Sequence, residues 1–138
     1  MKKLLVVAIA AAVLAIPVGA DARGRGPCVD MSVRETIVCA ENLWAVPGGV
    51  GVPLAIADRE SGFFAGAVSA SGTYLGVFQI GSYHMPEWPN DLMPQPWFRR
   101  WFPHLSWSDS SALLNGRFNV FLAIRFANAY GSWSPWNG

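Results

Sequence analysis

Residues 117–130, R-F-N-V-F-L-A-I-R-F-A-N-A-Y, constrain this chain more than any other stretch. Wound at 3.6 residues per turn, Phe118, Val120, Phe121, Leu122, Ile124 and Phe126 cover nearly the whole circumference of a helix. A helix without a polar face cannot lie on a surface, so the rest of the chain must wrap around it. Gly131 supplies its stop, and Asp109 or Ser110 can cap a shorter helix running to about Asn115 just before it. With 138 residues, seven Trp and eight Phe, the chain has material for one such core and not comfortably for two.

The N-terminus reads as a secretory signal peptide over residues 1–22. Lys2 and Lys3 precede an apolar run from Leu4 to Ile16, and small residues follow at Val18-Gly19-Ala20 and Ala20-Asp21-Ala22. The run is shorter than the ~20 residues that span a bilayer, and no stable membrane insertion is expected once it is cleaved. Residues 23–138 then form the single mature domain. Its basic and acidic residues are equal in number once Lys2, Lys3 and Asp21 are gone, unlike the basic surface of a nucleic-acid binder.

Export makes a disulfide the default for Cys28 and Cys39, the only two cysteines. On one helix the pair would stand about 16 Å apart, beyond disulfide reach, so Cys28 must precede the helix and fold back along it. Ser32 and Glu35 form a capping box, S-V-R-E, which starts that helix at Val33 and carries it to about Trp44. Residues 45–52, A-V-P-G-G-V-G-V, are a Pro/Gly connection and not a dinucleotide fingerprint, since no third glycine follows at the required spacing.

A second helix is expected from Pro53 to about Ser61, ending at Gly62. Glu60 falls on its apolar stripe near Ile56 and Ala57, while Asp58 and Arg59 turn to the other sides. A carboxyl group there is partly desolvated and meets the negative end of the helix dipole. Both effects favour the protonated acid, which makes Glu60 the candidate general acid. Beyond it, residues 65–80 read as short extended pieces reversed at Ser69-Ala70-Ser71-Gly72, a small hairpin wall.

Residues 82–107 interleave Tyr83, Trp88, Trp97, Phe98, Trp101, Phe102 and Trp107 with five prolines. Prolines exclude a long helix here; only 96–102 suit a short one, with Trp97 and Trp101 on one face. Exposed aromatic faces stack on sugar rings, so Trp88 and Trp97 are candidate glycan contacts, set against the alternative of a satellite core. His84 and His104 have no Cys, Asp or Glu beside them at ligand-like spacing, and no metal site is expected. A G-x-S-x-G elbow is absent.

The runs A-I-A-D-R-E-S-G-F, A-V-S-A-S-G and G-V-F-Q-I resemble the catalytic segment of the lysozyme-like superfamily, most closely the soluble lytic murein transglycosylases. The likeness covers roughly residues 50–81, with a weaker echo in N-V-F-L-A-I-R-F-A-N-A-Y-G-S-W-S-P-W. Ser61, Gly62, Ser69, Gly72, Gly76 and Gln79 have counterparts in the family pattern. Three residues, Thr73, Tyr74 and Leu75, separate Gly72 from Gly76 instead of the usual two, a spacing closer to resuscitation-promoting-factor-like and goose-type relatives.

The resemblance implies an α+β, mostly α fold. It would contain a catalytic helix, a small hairpin wall and a buried C-terminal helix, with the closing W-S-P-W packed near that helix and Asn119 in a structural role. It further implies cleavage of peptidoglycan glycan strands outside the cytoplasm by Glu60 and without a cofactor, with Ser69, Tyr74 and Gln79 as substrate contacts. Lysozyme pairs its acid with a second carboxylate. Here none lies between Glu60 and Glu87, as in a transglycosylase, where one acid suffices. Two alternatives stay open: a hydrolytic muramidase that activates water with Glu87, Asp91 or Asp109, and a glycan-binding module without turnover.

Overall fold

The computed structural model describes residues 24–93, 95–106 and 108–137, so the expected signal peptide lies outside the described residues. Among the described residues, the first helix is α1, Val33–Leu43. Its capping box is complete: the Ser32 hydroxyl accepts from the Glu35 amide at 3.2 Å, and the Glu35 carboxylate accepts from the Ser32 amide at 3.1 Å. That hydrogen bonding holds the Glu35 carboxyl below the usual range. Cys28 folds back and is joined to Cys39 by a disulfide, with Cα atoms 5.8 Å apart.

Helix α2 spans Gly51–Ser61 and stops at Gly62 in the left-handed conformation. Strands β1, Tyr74–Leu75, and β2, Ile80–Gly81, pair antiparallel with Tyr74 opposite Gly81 and Leu75 opposite Ile80. A further bridge joins Val68 to Leu75, with the chain reversing at Ser69–Gly72 as expected. The wall is therefore a short three-pass meander whose second turn runs from Gly76 to Gln79.

A single-turn 3₁₀ segment, Ser82–His84, leads into α3, Glu87–Leu92, and α4, Gln95–Trp101. Helix α3 corrects the reading of these residues as irregular. Pro89 sits in its first turn, where a helix has no use for the missing amide hydrogen. Helix α4 is the short piece expected. The 3₁₀ turn Ser110–Leu114, capped by Asp109, precedes α5, Gly116–Tyr130, which a further 3₁₀ turn, Ser134–Trp136, follows. Among the described residues no helix is long and apolar enough to cross a membrane.

The fold is thus α+β and mostly α, and α5 is its axis. Every residue from Phe118 to Arg125 is buried, as the all-round apolar pattern requires. Helices α1, α3 and the Ser110–Leu114 turn pack around it. Trp44 meets Phe121 edge-on at 5.1 Å, and Trp133 stacks on Phe78 at 5.7 Å.

Two polar residues of α5 share this interior. Arg125 is fully buried and donates from Nε and Nη2 to the carbonyl of Leu92 at the end of α3; burial lowers its guanidinium to about 10. Asn119 is fully buried and ties the wall to the core. Its Oδ1 accepts from the Phe78 amide at 2.9 Å, and its Nδ2 donates to the carbonyls of Leu75 at 3.0 Å and Leu113 at 2.9 Å. Gly76 makes that approach possible, since a Cβ there would stand 2.2 Å from the Leu113 carbonyl oxygen and 2.3 Å from Asn119 Nδ2. Its φ of +81° independently favours glycine.

Candidate functional site

The end of α2, the β1–β2 wall, the Ser82–His84 turn and the closing Ser134–Trp136 turn surround a cleft of about 480 Å³. Glu60, Tyr74, Gln79, Tyr83, His84, Trp88, Phe126 and Trp136 line it. Glu60 is the only carboxylate among these described lining residues. Two other hollows lie away from it: one of about 530 Å³ beside Trp101 and Arg117, and one of about 760 Å³, mostly apolar, beside the disulfide. Neither contains Glu60 or a residue of β1 or β2.

Glu60 keeps 27% side-chain exposure and is ion-paired with Arg59, itself 53% exposed, whereas helical spacing turned Arg59 to another side. Arg59 Nε and Nη2 reach the same oxygen, Glu60 Oε1, at 2.9 and 2.8 Å. Adjacent residues on a helix do not face one another. The long arginine stem overrides this at the last turn because Nη2 also donates to the carbonyl of Trp136, which draws the guanidinium across the helix end.

The wall residues take different parts. Gln79 and Tyr74 line the cleft; Ser69 does not. The Ser69 hydroxyl accepts from the Tyr74 amide at 3.0 Å and shares a hydrogen bond with Ser71 at 3.2 Å, so it is spent on holding the turn. Gln79, at a positive φ of +48°, donates from Nε2 to the carbonyls of Gly76 at 3.0 Å and Ala67 at 3.3 Å. Its own carbonyl oxygen is the group it can offer to a hydroxyl.

The aromatic candidates are also corrected. Trp97 is buried at 5% exposure, stacked on Trp101 at 5.1 Å, and belongs to the core. Trp88 lines the cleft but offers no face. His84 stacks on it at 3.8 Å and 22°, and Phe126 at 4.0 Å and 11°. Two nearly parallel rings that close to one centroid would overlap if they shared a face, so they lie on opposite faces of the indole. Trp88 therefore presents only an edge.

The exposed ring on the cleft side of this stack is Tyr83, at 62% exposure; Tyr130, at 59%, stacks on Phe126 and does not line the cleft. Tyr83 tilts against His84 at 4.4 Å, meets Tyr74 edge-on at 6.4 Å, and lies so near Gly81 that a Cβ there would come within 2.4 Å of it. The sequence placed Tyr83 among many rings without distinguishing it. The signal that could have singled it out is Gly81 two residues before it, which clears the space it occupies.

Burial lowers the imidazole of His84, partly offset by the charge of Glu87. The Asp109 carboxyl is held down by the Ser111 amide, which it caps at 2.9 Å. Of the three carboxylates considered as partners for Glu60, neither Glu87, Asp91 nor Asp109 lines the cleft. Among the described residues no three His, Cys, Asp or Glu side chains come together as a metal site.

No family model, no curated protein and no solved structure matches the chain.

Proposed function

We propose that the protein is an exported enzyme that cleaves peptidoglycan strands as a lytic transglycosylase, with Glu60 as its single acid–base group. The observation that carries the reading is the cleft itself: one carboxylate at a helix end, facing a polar hairpin and an aromatic wall. The Cys28–Cys39 disulfide fits a chain that folds in an oxidising compartment.

Protonated Glu60 would give its proton to the glycosidic oxygen of the β-1,4 bond between N-acetylmuramic acid and N-acetylglucosamine. As the C1–O bond breaks, the same carboxylate takes the proton of the muramyl C6 hydroxyl, whose oxygen closes onto C1. Atoms balance without water, metal or organic cofactor, and the product ends in a 1,6-anhydro ring. Gln79 would accept a hydrogen bond from a sugar hydroxyl or amide, and Tyr74 and Tyr83 would offer ring surface at the mouth of the cleft.

Mass spectrometry of fragments released from purified peptidoglycan tests the reaction. Fragments one water lighter than their hydrolytic counterparts are expected, because the C6 oxygen replaces water as acceptor. Reducing ends would move the assignment to a muramidase and make Glu87, Asp91 and Asp109 the next positions to substitute. Binding without any release would leave a glycan-binding module.

Tyr83→Ala is expected to weaken binding of an N-acetylglucosamine oligomer by roughly 5- to 30-fold, the ~1–2 kcal/mol of a lost aromatic contact, with an unchanged thermal midpoint. Titration calorimetry measures the first and circular dichroism the second. Unchanged affinity would remove Tyr83 from the site.

A further inference from the structure

Glu60 and Trp136 line the same cleft from positions far apart along the chain, and one side chain joins them. Arg59 places two N–H groups on Glu60 Oε1, at 2.9 and 2.8 Å, and a further Nη2 hydrogen on the carbonyl of Trp136. Trp136 is itself fixed: its indole Nε1 donates to the carbonyl of Phe78 at 2.8 Å, and its ring meets Phe78 at 6.1 Å and Phe126 at 5.9 Å, both edge-on. Phe78 belongs to the turn between the strands, whose amide Asn119 holds. A path of direct contacts thus runs from the buried axis of the fold, through the wall and the closing turn, to one oxygen of the candidate acid.

We propose that Arg59 is a positioning residue for the reaction assigned to Glu60, an inference that rests on that reading. The planar guanidinium holds Oε1 from two directions, and this divides the labour between the carboxyl oxygens. Oε1, already accepting two N–H groups, is the poorer place for a proton. Oε2 accepts no hydrogen bond among the described residues and is the oxygen that carries the proton to the glycosidic bond and later takes it from the C6 hydroxyl. The fork also fixes the position of Oε1 relative to the Trp136 carbonyl. Lysine cannot replace it, because an ammonium is a point donor without the fixed fork.

The test uses Arg59→Lys and Arg59→Ala in the full-length mature protein, with peptidoglycan as substrate. Both are expected to lose ~10²-fold in kcat, the order that about 1 Å of misplacement costs, with KM changed less than about threefold. Added methylguanidinium should recover part of the Arg59→Ala loss, and methylammonium none. The thermal midpoint should stay near that of the wild type, since Arg59 is exposed. A second readout needs no turnover: the Arg59 Nε–H resonance should shift in Glu60→Gln, because its acceptor loses its charge.

Wild-type kcat in Arg59→Lys would overturn the proposal, as would an Arg59 resonance indifferent to Glu60→Gln. If the wild type releases no fragments, the reading of Glu60 and this inference fall together. If the wild type cleaves while the Arg59 variants are unimpaired, this inference falls alone.

Discussion

Glu60→Gln is expected to cut the release of glycan fragments by at least ~10²–10⁴-fold, the range over which a positioned acid–base group contributes. The substitution keeps size and leaves an amide oxygen where Oε1 accepts from Arg59, so the link to Trp136 survives and binding should be retained. Only the transferable proton is lost. Because Glu60 lines the cleft and carries no part of the core, the folded state should persist with an unchanged circular dichroism spectrum. Asp58→Asn, one exposed residue of the same helix turn, serves as the control and should cleave normally. Glu60→Gln cleaving at the wild-type rate would end the mechanism proposed above, whatever bound the glycan.

Asn119→Leu should be the most destabilising substitution of comparable size in the domain. Leucine fills a similar volume but leaves the Phe78 amide and the carbonyls of Leu75 and Leu113 buried without their partner. Each stranded buried group costs ~1–3 kcal/mol, so a combined loss on the order of 3–5 kcal/mol is expected. Against a total stability of about 5–15 kcal/mol, that is a large fraction of what holds the domain folded. Chemical denaturation followed by circular dichroism measures the change. A loss below about 1 kcal/mol would show that the wall is held by its strand pairing and not by α5. Because Phe78 and Gln79 belong to the same turn, surviving folded protein should also bind glycan less well, coupling the core of the fold to its candidate site.

Local chemistry was legible in the residues. The S-V-R-E box determined where α1 begins, because its two hydrogen bonds close within four residues. Gly62 and Gly131 determined where α2 and α5 end, since the left-handed caps they form suit glycine. The disulfide followed from two cysteines and a helix start between them. The buried axis followed from an apolar circumference, which leaves α5 no orientation that would be stable in water.

What the sequence left undecided involves contacts between residues far apart along the chain, or faces that several elements compete to cover. Helical spacing places Glu60 on a stripe, but the carbonyl of Trp136, 77 residues from Arg59, decides where the guanidinium goes and therefore what Glu60 touches. The sequence of 82–107 announces many rings and not which faces remain open. Phe126, from α5, covers the second face of Trp88, α4 turns Trp97 inward onto Trp101, and Tyr83 is left at the surface by the space above Gly81. Asn119 likewise looks like one polar interruption in an apolar helix until the fold brings Phe78 and Leu75, 41 and 44 residues away, within its reach. The elements are set by interactions over a few residues, which a sequence displays. The site is set by which elements meet, and that depends on packing the whole chain around α5.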